Sequence, residues 1–157
     1  MTYYYEDLHV GQEFSGPRRT ITEADIVAFA QFSGDWNPLH TDAEFAAQAR
    51  FGERIAHGLL TLSAVTGLMD RAGLFDGSAV AMLGIEWRFA RPVFIGDTIG
   101  FRMRVDSLRP TSDGRHGVVG RRFEVFNQRG ELVQEGSLPL LVARRSPSEP
   151  AAPSAER

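Results

Sequence analysis

Apolar and polar positions alternate through most of the second half of the chain. In residues 99–105 every second residue is a large apolar one, and the residues between are glycine or charged. A period of two predicts strands with one apolar face, which is typical of an antiparallel sheet that covers a core on one side. The predicted strands are 85–89, 99–105, 118–126 and 132–142. Pro139 in the last of them indicates an edge strand or a bulge.

The first half of the chain has helical spacing instead. Thr22 and Asp25 form a capping box that predicts a helix start, and Gly34 is expected to end this first helix. Thr41 and Glu44 have the same spacing and predict a second helix, with residues 45 and 46 on its buried side and an end near 52.

The third predicted helix, over residues 58–72, carries no charge before Asp70, and Gly73 lies where a helix-ending glycine is expected. A helix that is apolar all round is buried all round. We therefore expect the sheet to cover this helix, which gives an α+β architecture.

Composition limits the classes of protein that remain. A chain of 157 residues with 43% apolar residues and a formal charge of −3 is typical of one soluble globular domain, with no charge excess that would favour nucleic acid. There is no cysteine, no basic-apolar leader and no apolar run long enough to cross a bilayer, so a cytoplasmic protein is expected. We expect one domain over 1–144. Residues 145–157 are predicted to be a disordered tail, since they hold three of the eight prolines and no large apolar residue.

Arginines are frequent in the predicted sheet, and for most of them the pattern indicates a solvated polar face. One or two could meet the phosphates of a nucleotide-bearing ligand. The arginines on or beside the strands are Arg88, Arg91, Arg102, Arg104, Arg121 and Arg122.

The densest chemistry lies in residues 34–40, where Asp35, Asn37 and His40 surround Pro38. Proline fixes its own φ and disfavours helical geometry at the residue before it, so the segment is a rigid bend. Such a bend can hold a carboxylate and an imidazole close together, as proton transfer requires. A plain Asx turn that starts a helix explains the same residues without any chemistry.

These residues resemble an active-site signature, Gly/Ser-Asp-x-Asn-Pro-x-His, of the MaoC-like dehydratases, which include the R-specific enoyl-CoA hydratases. A second element of that family, a small residue followed by His and Gly at the start of a buried helix, matches residues 56–58. Further similarity lies at 5–11 and at 91–97, and residues 3–142 are covered in all. The resemblance implies a hot-dog fold, in which an antiparallel sheet wraps around one central helix.

The resemblance also implies roles for individual residues. Asp35 and His40 would act together on one water molecule, which is added reversibly across the 2,3 double bond of an enoyl thioester. Gly58 would donate its backbone N–H to the thioester carbonyl, as a glycine at a helix start can. The implied supporting residues are Asn37, Thr66 and His57. Thr66 stands where close members of the family carry a serine that contacts the catalytic carboxylate, and it could instead bond back to its own helix.

The implied substrate is an acyl thioester of coenzyme A or of an acyl carrier protein, and no cofactor is expected. The implied assembly is a homodimer, without nucleic acid or membrane as partners. His40, Asp42 and His57 could be drawn as metal ligands, but their spacing matches no known metal site. A hot-dog thioesterase is the main enzymatic alternative, although no carboxylate lies between 56 and 69 on the central helix. A non-catalytic acyl-binding subunit is the other alternative, although such chains typically lack the Asp or the His.

Overall fold

The computed structural model describes residues 1–145, and in that range the chain forms a short 3₁₀ helix at Tyr5–Asp7, four α-helices and eight strands. The helices are α1 (Glu23–Ser33), α2 (Pro38–Thr41), α3 (Ala43–Gln48) and α4 (Gly58–Arg71). The strands are β1 (Glu13–Ser15), β2 (Arg19–Thr20), β3 (Ala79–Met82), β4 (Glu86–Phe89), β5 (Thr98–Pro110), β6 (His116–Phe126), β7 (Leu132–Ser137) and β8 (Leu140–Ala143). The predicted tail, from residue 146 onward, lies outside the described residues.

The strands form one antiparallel sheet in the order β1-β5-β6-β7-β4, with β2 paired to β5. Strand β8 pairs with β6 beside β7 and carries β3 on its other side. The predicted strand over 132–142 is therefore two strands, which separate at Leu138 and Pro139. Strands β3 and β4 together form one outer edge of the sheet.

The central helix α4 packs its apolar side against one face of the sheet. Leu60, Val65 and Leu68 belong to the same buried cluster as Phe101 and Phe123 of the long strands β5 and β6. The α+β architecture predicted from the sequence is confirmed. The expectation that α4 is buried all round is wrong, because one stripe of the helix is exposed. This exposed stripe consists of Leu59, Ser63, Thr66, Gly67 and Asp70.

The helix starts follow local side-chain chemistry. Thr22 caps α1 and shares a complete capping box with Asp25, and Gly34 ends the helix with a φ of 76°, as predicted. The second predicted capping box is wrong, because Asp42 rather than Thr41 accepts the hydrogen bond from the N–H of Phe45. A carboxylate accepts backbone N–H groups well at a helix start, so Asp42 replaces the neighbouring hydroxyl as the cap.

The two ends of the described chain are held together by ion pairs. Arg144 pairs with Glu6 and Arg145 pairs with Asp7, and the guanidinium of Arg145 lies over the ring of Tyr4. Arg145 therefore belongs to the folded domain, although the sequence analysis predicts that it begins the disordered tail. No helix within residues 1–145 has the length and apolar character needed to cross a membrane.

Candidate active site

The bend between α1 and α2 is built by its own side chains. The amide oxygen of Asn37 accepts the N–H of Leu39 at 2.9 Å, and Pro38 begins α2. The carboxylate of Asp35 accepts the N–H of Asn37 at 3.2 Å. Asn37 therefore shapes the bend, and the bend fixes the direction of the Asp35 side chain.

The ring of His40 is oriented by the segment that precedes α4. Its Nδ1 lies 2.7 Å from the carbonyl oxygen of Ile55, and the N–H of Ile55 in turn donates to the carbonyl of Leu39 at 3.3 Å. A carbonyl oxygen only accepts hydrogen bonds, so Nδ1 carries the proton that is donated. In the neutral ring, Nε2 then holds a lone pair, which is what a base requires.

His57 contacts both Asp35 and His40. Its Nε2 donates to the backbone carbonyl of Asp35 at 2.9 Å, and its ring stacks on that of His40 with 3.9 Å between centroids. The ring of Phe29 also packs against that of His57, with 5.0 Å between centroids. His57 is 2% exposed, and its Nδ1 has no hydrogen-bond partner in the described part of the chain.

The structure brings three of the predicted residues into one cluster. One carboxylate oxygen of Asp35 and one ring nitrogen each of His40 and His57 lie within 4.8 Å of one another. The side chains differ in access, since Asp35 is exposed, His40 is half-buried and His57 is buried. Asp42 is not part of this cluster, because its carboxylate caps α3.

A cavity of about 490 Å³ opens beside this cluster, and Gly58 and His40 both line it. Gly58 is the first residue of α4, so its N–H has no acceptor within the helix, and no residue in 1–145 supplies one. A Cβ built on Gly58 would lie 2.7 Å from the ring of Phe89. The absence of a side chain therefore lets Phe89 close over the helix start, at the edge of the cavity that Gly58 lines.

Gln134 is a site residue that the sequence did not reveal. It is buried in β7, accepts the indole N–H of Trp87 at 3.0 Å and donates to the carbonyl of Gly58 at 3.4 Å. It fixes the first turn of α4 from the sheet side. A polar residue at an inward position of an apolar strand was the available signal.

Thr66 is not brought to the cluster within one chain. It lies on the exposed stripe, and its hydroxyl donates to the carbonyl of Ser63 at 2.7 Å, which is the bond back to its own helix. The expected contact with Asp35 is not made inside this chain.

The arrangement suits proton transfer next to a polarised carbonyl. Two groups that can accept a proton, the Asp35 carboxylate and the His40 imidazole, face the same small volume. The N–H of Gly58 carries the positive end of the α4 dipole and can stabilise a developing oxyanion. The geometry therefore defines the class of protein as a hot-dog domain with a site for proton transfer.

Comparison with known proteins gives the family. Residues 7–125 match the family described as MaoC like domain. A 3-hydroxybutyryl-CoA dehydratase of Methylorubrum extorquens is 31% identical over 95% of this chain and 90% of its own length. An (R)-specific enoyl-CoA hydratase of Aeromonas caviae is 34% identical over 83% of this chain and 92% of its own. The chain belongs to the MaoC-like family.

A solved structure supports the same fold. A Mycobacterium tuberculosis protein described as having a double hot-dog fold superposes with a TM-score of 0.83 and 25% identity. The match covers 96% of this chain and 47% of that one. This chain therefore has the hot-dog fold, and it corresponds to one half of that double structure.

Proposed function

We propose that this protein is a hydro-lyase that adds water reversibly across the 2,3 double bond of a 2-enoyl thioester. The observation that carries the proposal is the cluster of Asp35 and His40 beside the unpaired N–H of Gly58. Two relatives are named as a 3-hydroxybutyryl-CoA dehydratase and an (R)-specific enoyl-CoA hydratase. These names favour a coenzyme A thioester as the substrate.

The reaction balances with these groups and one water molecule. Asp35 and His40 both accept hydrogen bonds from the water, and one of them takes a proton as the water oxygen bonds to C3. The double bond shifts its electrons toward the thioester carbonyl, whose oxygen is stabilised by the Gly58 N–H. The proton then passes to C2, and the carbonyl re-forms. The reverse sequence removes water from a 3-hydroxyacyl thioester.

The direct test is hydration of a short 2-enoyl-CoA, followed by loss of the enoyl absorbance. We expect turnover by the wild type and a loss of ~10²–10⁴-fold for Asp35→Asn and for His40→Gln. A thiol reagent added to the same mixtures reports thioester cleavage. Release of free coenzyme A without hydration would overturn the proposal in favour of a thioesterase, and binding without either reaction would favour an acyl-binding subunit.

We also propose that the functional unit is a homodimer. Apolar side chains are exposed along the outer edge formed by β3 and β4, where a soluble monomer would be prone to pair with other chains. These side chains are Val80, Met82, Leu83, Ile85 and Phe89. On their outer side neither strand has a pairing strand within residues 1–145.

An antiparallel edge can pair with a second copy of itself about a twofold axis. Such pairing would extend the sheet at Phe89, which lines the first cavity beside Gly58, and this supports a dimer with sites near the interface. The double hot-dog relative is about twice as long as this chain, which is consistent with two such units per assembly. Light scattering of the full chain should give twice the monomer mass, and Ile85→Asp on the apolar edge should lower it. A wild-type monomer at micromolar concentration would contradict this assignment.

A further inference from the structure

A second cavity, of about 330 Å³, lies beside the C-terminal half of α4. Its walls are mostly apolar side chains from α4, the sheet and the loop after the helix, among them Met69, Phe75, Phe123, Leu138 and Leu140. Thr66, Asp70 and Asp76 also line it, and all three are exposed. Among the described residues that line this cavity, Arg121 is the one cation.

Arg121 points into the fold, unlike its neighbour Arg122. Residues 119, 121, 123 and 125 of β6 are all buried, and Arg121 is 6% exposed. Its Nε donates to the carbonyl of Leu138 at 2.8 Å, and its guanidinium lies 5.4 Å from the ring centroid of Phe123 and 5.7 Å from that of Phe75. Arg121 is therefore an exception to the solvated polar face that the sequence predicts for most of the arginines in the sheet.

Arg121 forms no ion pair within residues 1–145, and the carboxylates of Asp70 and Asp76, which line the same cavity, are exposed. The two terminal nitrogens of Arg121 donate no hydrogen bond to a described residue. Burial lowers the pKa of Arg121 to about 10, so the group is still cationic at neutral pH. Burying a charge costs free energy that pairing offsets, and the terminal nitrogens of Arg121 are free to bind an anionic group that enters the cavity.

Residues of α4 line both cavities. Gly58 lines the first cavity and Thr66 the second, and eight positions of helix place them ~12 Å apart along the axis. The exposed stripe of α4 runs from Leu59 at the first cavity to Asp70 at the second. An acyl chain whose thioester carbonyl lies at Gly58 could extend along this stripe toward Arg121.

We propose that this second cavity binds the distal end of the acyl group and that Arg121 pairs with a carboxylate there. The substrate class is then a coenzyme A monothioester of an unsaturated dicarboxylic acid. The two terminal nitrogens of a guanidinium present parallel N–H groups that match the two oxygens of a carboxylate. The apolar walls accommodate the methylene chain. This inference rests on the proposed hydration at Asp35 and His40.

The test compares pairs of 2-enoyl-CoA substrates of equal length, one ending in a carboxylate and one in a methyl group, over a series of lengths. A hydrogen bond to a charged group contributes ~1.5–3 kcal/mol, so at the best length we expect kcat/KM to favour the carboxylate by ~10–100-fold. Arg121→Met, which keeps the length and apolar character of the stem, should abolish or reverse this preference. Arg121→Lys should retain part of it.

Arg122→Met is the matched control. Arg122 is the next residue of β6, is exposed and pairs with Asp106 on the other face of the sheet, so its loss should leave the preference unchanged. A wild type that shows no preference at any length would overturn the proposal, as would a preference that survives in Arg121→Met. If Arg121→Met does not fold, the wild-type preference and the Arg121→Lys variant decide the question.

A binding measurement separates this inference from the proposed function. Calorimetry of the Asp35→Asn variant with saturated acyl-CoA molecules, ending in a carboxylate or in a methyl group, should show the same preference without any turnover. If that preference is present but the wild type hydrates no thioester, the cavity assignment holds and the proposed reaction fails. Free alkanoates test one further outcome. If they stabilise the wild type although the enzyme shows no preference between its substrates, Arg121 belongs to an independent carboxylate site. That result would overturn the assignment to the acyl end.

Discussion

The imidazole of His57 stacks on that of His40 with 3.9 Å between ring centroids, while its Nε2 donates to the backbone carbonyl of Asp35. One buried side chain thus contacts both members of the proposed catalytic pair. Neither of its ring nitrogens is available to contact substrate, since Nε2 is hydrogen-bonded to the backbone and Nδ1 is buried. We interpret His57 as a positioning residue that holds Asp35 and His40 at a fixed separation.

His57→Phe should retain the stacking but lose the hydrogen bond to Asp35. Because a small displacement of a reacting group can cost up to ~10²-fold in rate, we expect kcat to fall by ~10-fold or more with little change in KM. Steady-state kinetics on a short enoyl-CoA measures both constants. A residue that serves only packing would give a lower Tm with an unchanged kcat per folded molecule, and that result would remove His57 from the site.

Gly58→Ala tests the oxyanion donor. The added Cβ would lie 2.7 Å from the Phe89 ring, so Phe89 must move, and the methyl group would crowd the approach to the Gly58 N–H. Loss of one oxyanion donor typically costs ~10²–10³-fold in kcat, and we expect a loss of that order. Adding Phe89→Leu should restore the melting temperature but not the rate. Recovery of full activity in the double variant would show that the glycine serves only the packing of Phe89.

The bend at residues 34–40 and the start of α1 could be predicted from the sequence because short-range chemistry determines both. Asn37 and Pro38 restrict the same few dihedral angles in any context, and Thr22 and Asp25 satisfy N–H groups within one turn. The strand pattern over 99–105 was equally direct, since every second residue is a large apolar one that is buried in the core.

The exposed stripe of α4 and the inward direction of Arg121 could not be predicted in the same way. A helix such as 58–71, with few charges, gives the same pattern whether it is buried by its own chain or by a second one. A period-two pattern assigns a charged residue of a strand to the outer face, yet Arg121 faces the core. A leucine in an apolar helix is assigned to the core, yet Leu59 is exposed. Both depend on long-range packing rather than on neighbouring residues.

Asp25 should make the stability of the fold depend on pH. Burial alone would raise the pKa of Asp25, but hydrogen bonds from Thr22 and the nearby Arg19 outweigh burial and lower it. A carboxyl whose pKa is lower in the folded state stabilises the fold above its unfolded pKa, and this contribution is lost as the pH falls toward the folded pKa. Asp25→Asn should therefore cost ~1 kcal/mol at pH 7, as for other capping residues, and the difference from wild type should shrink in acid. Denaturant melts at neutral and acidic pH measure this, and a difference that stays constant with pH would contradict it.

Removal of metal ions should leave the activity unchanged. Asp35, His40 and His57 offer three potential ligand atoms within 4.8 Å, but Nε2 of His57 already donates to the backbone carbonyl of Asp35 and its Nδ1 is buried. Only the Asp35 carboxylate and Nε2 of His40 are then left to hold an ion. The proposed reaction needs only proton transfer and a hydrogen-bonded oxyanion. Dialysis against a chelator should not lower kcat, whereas added Zn²⁺ should inhibit by binding the groups that otherwise hold the water. Loss of activity on chelation that Zn²⁺ restores would make the cluster a metal site.

The strongest test of the site is the double variant Asp35→Asn/His40→Gln. Each single change keeps a side chain of similar size that can still form hydrogen bonds but removes a group that accepts the proton of the water. If both groups act on one water in one step, each single variant loses ~10²–10⁴-fold and the double variant is barely slower than either, as for other residues that act as a unit. If the two residues only shape the bend, the losses in Tm add and the rate falls only with the folded fraction. Rates per folded molecule, measured together with thermal melts, separate these outcomes. A fully folded single variant that hydrates enoyl-CoA at the wild-type rate would refute the assignment.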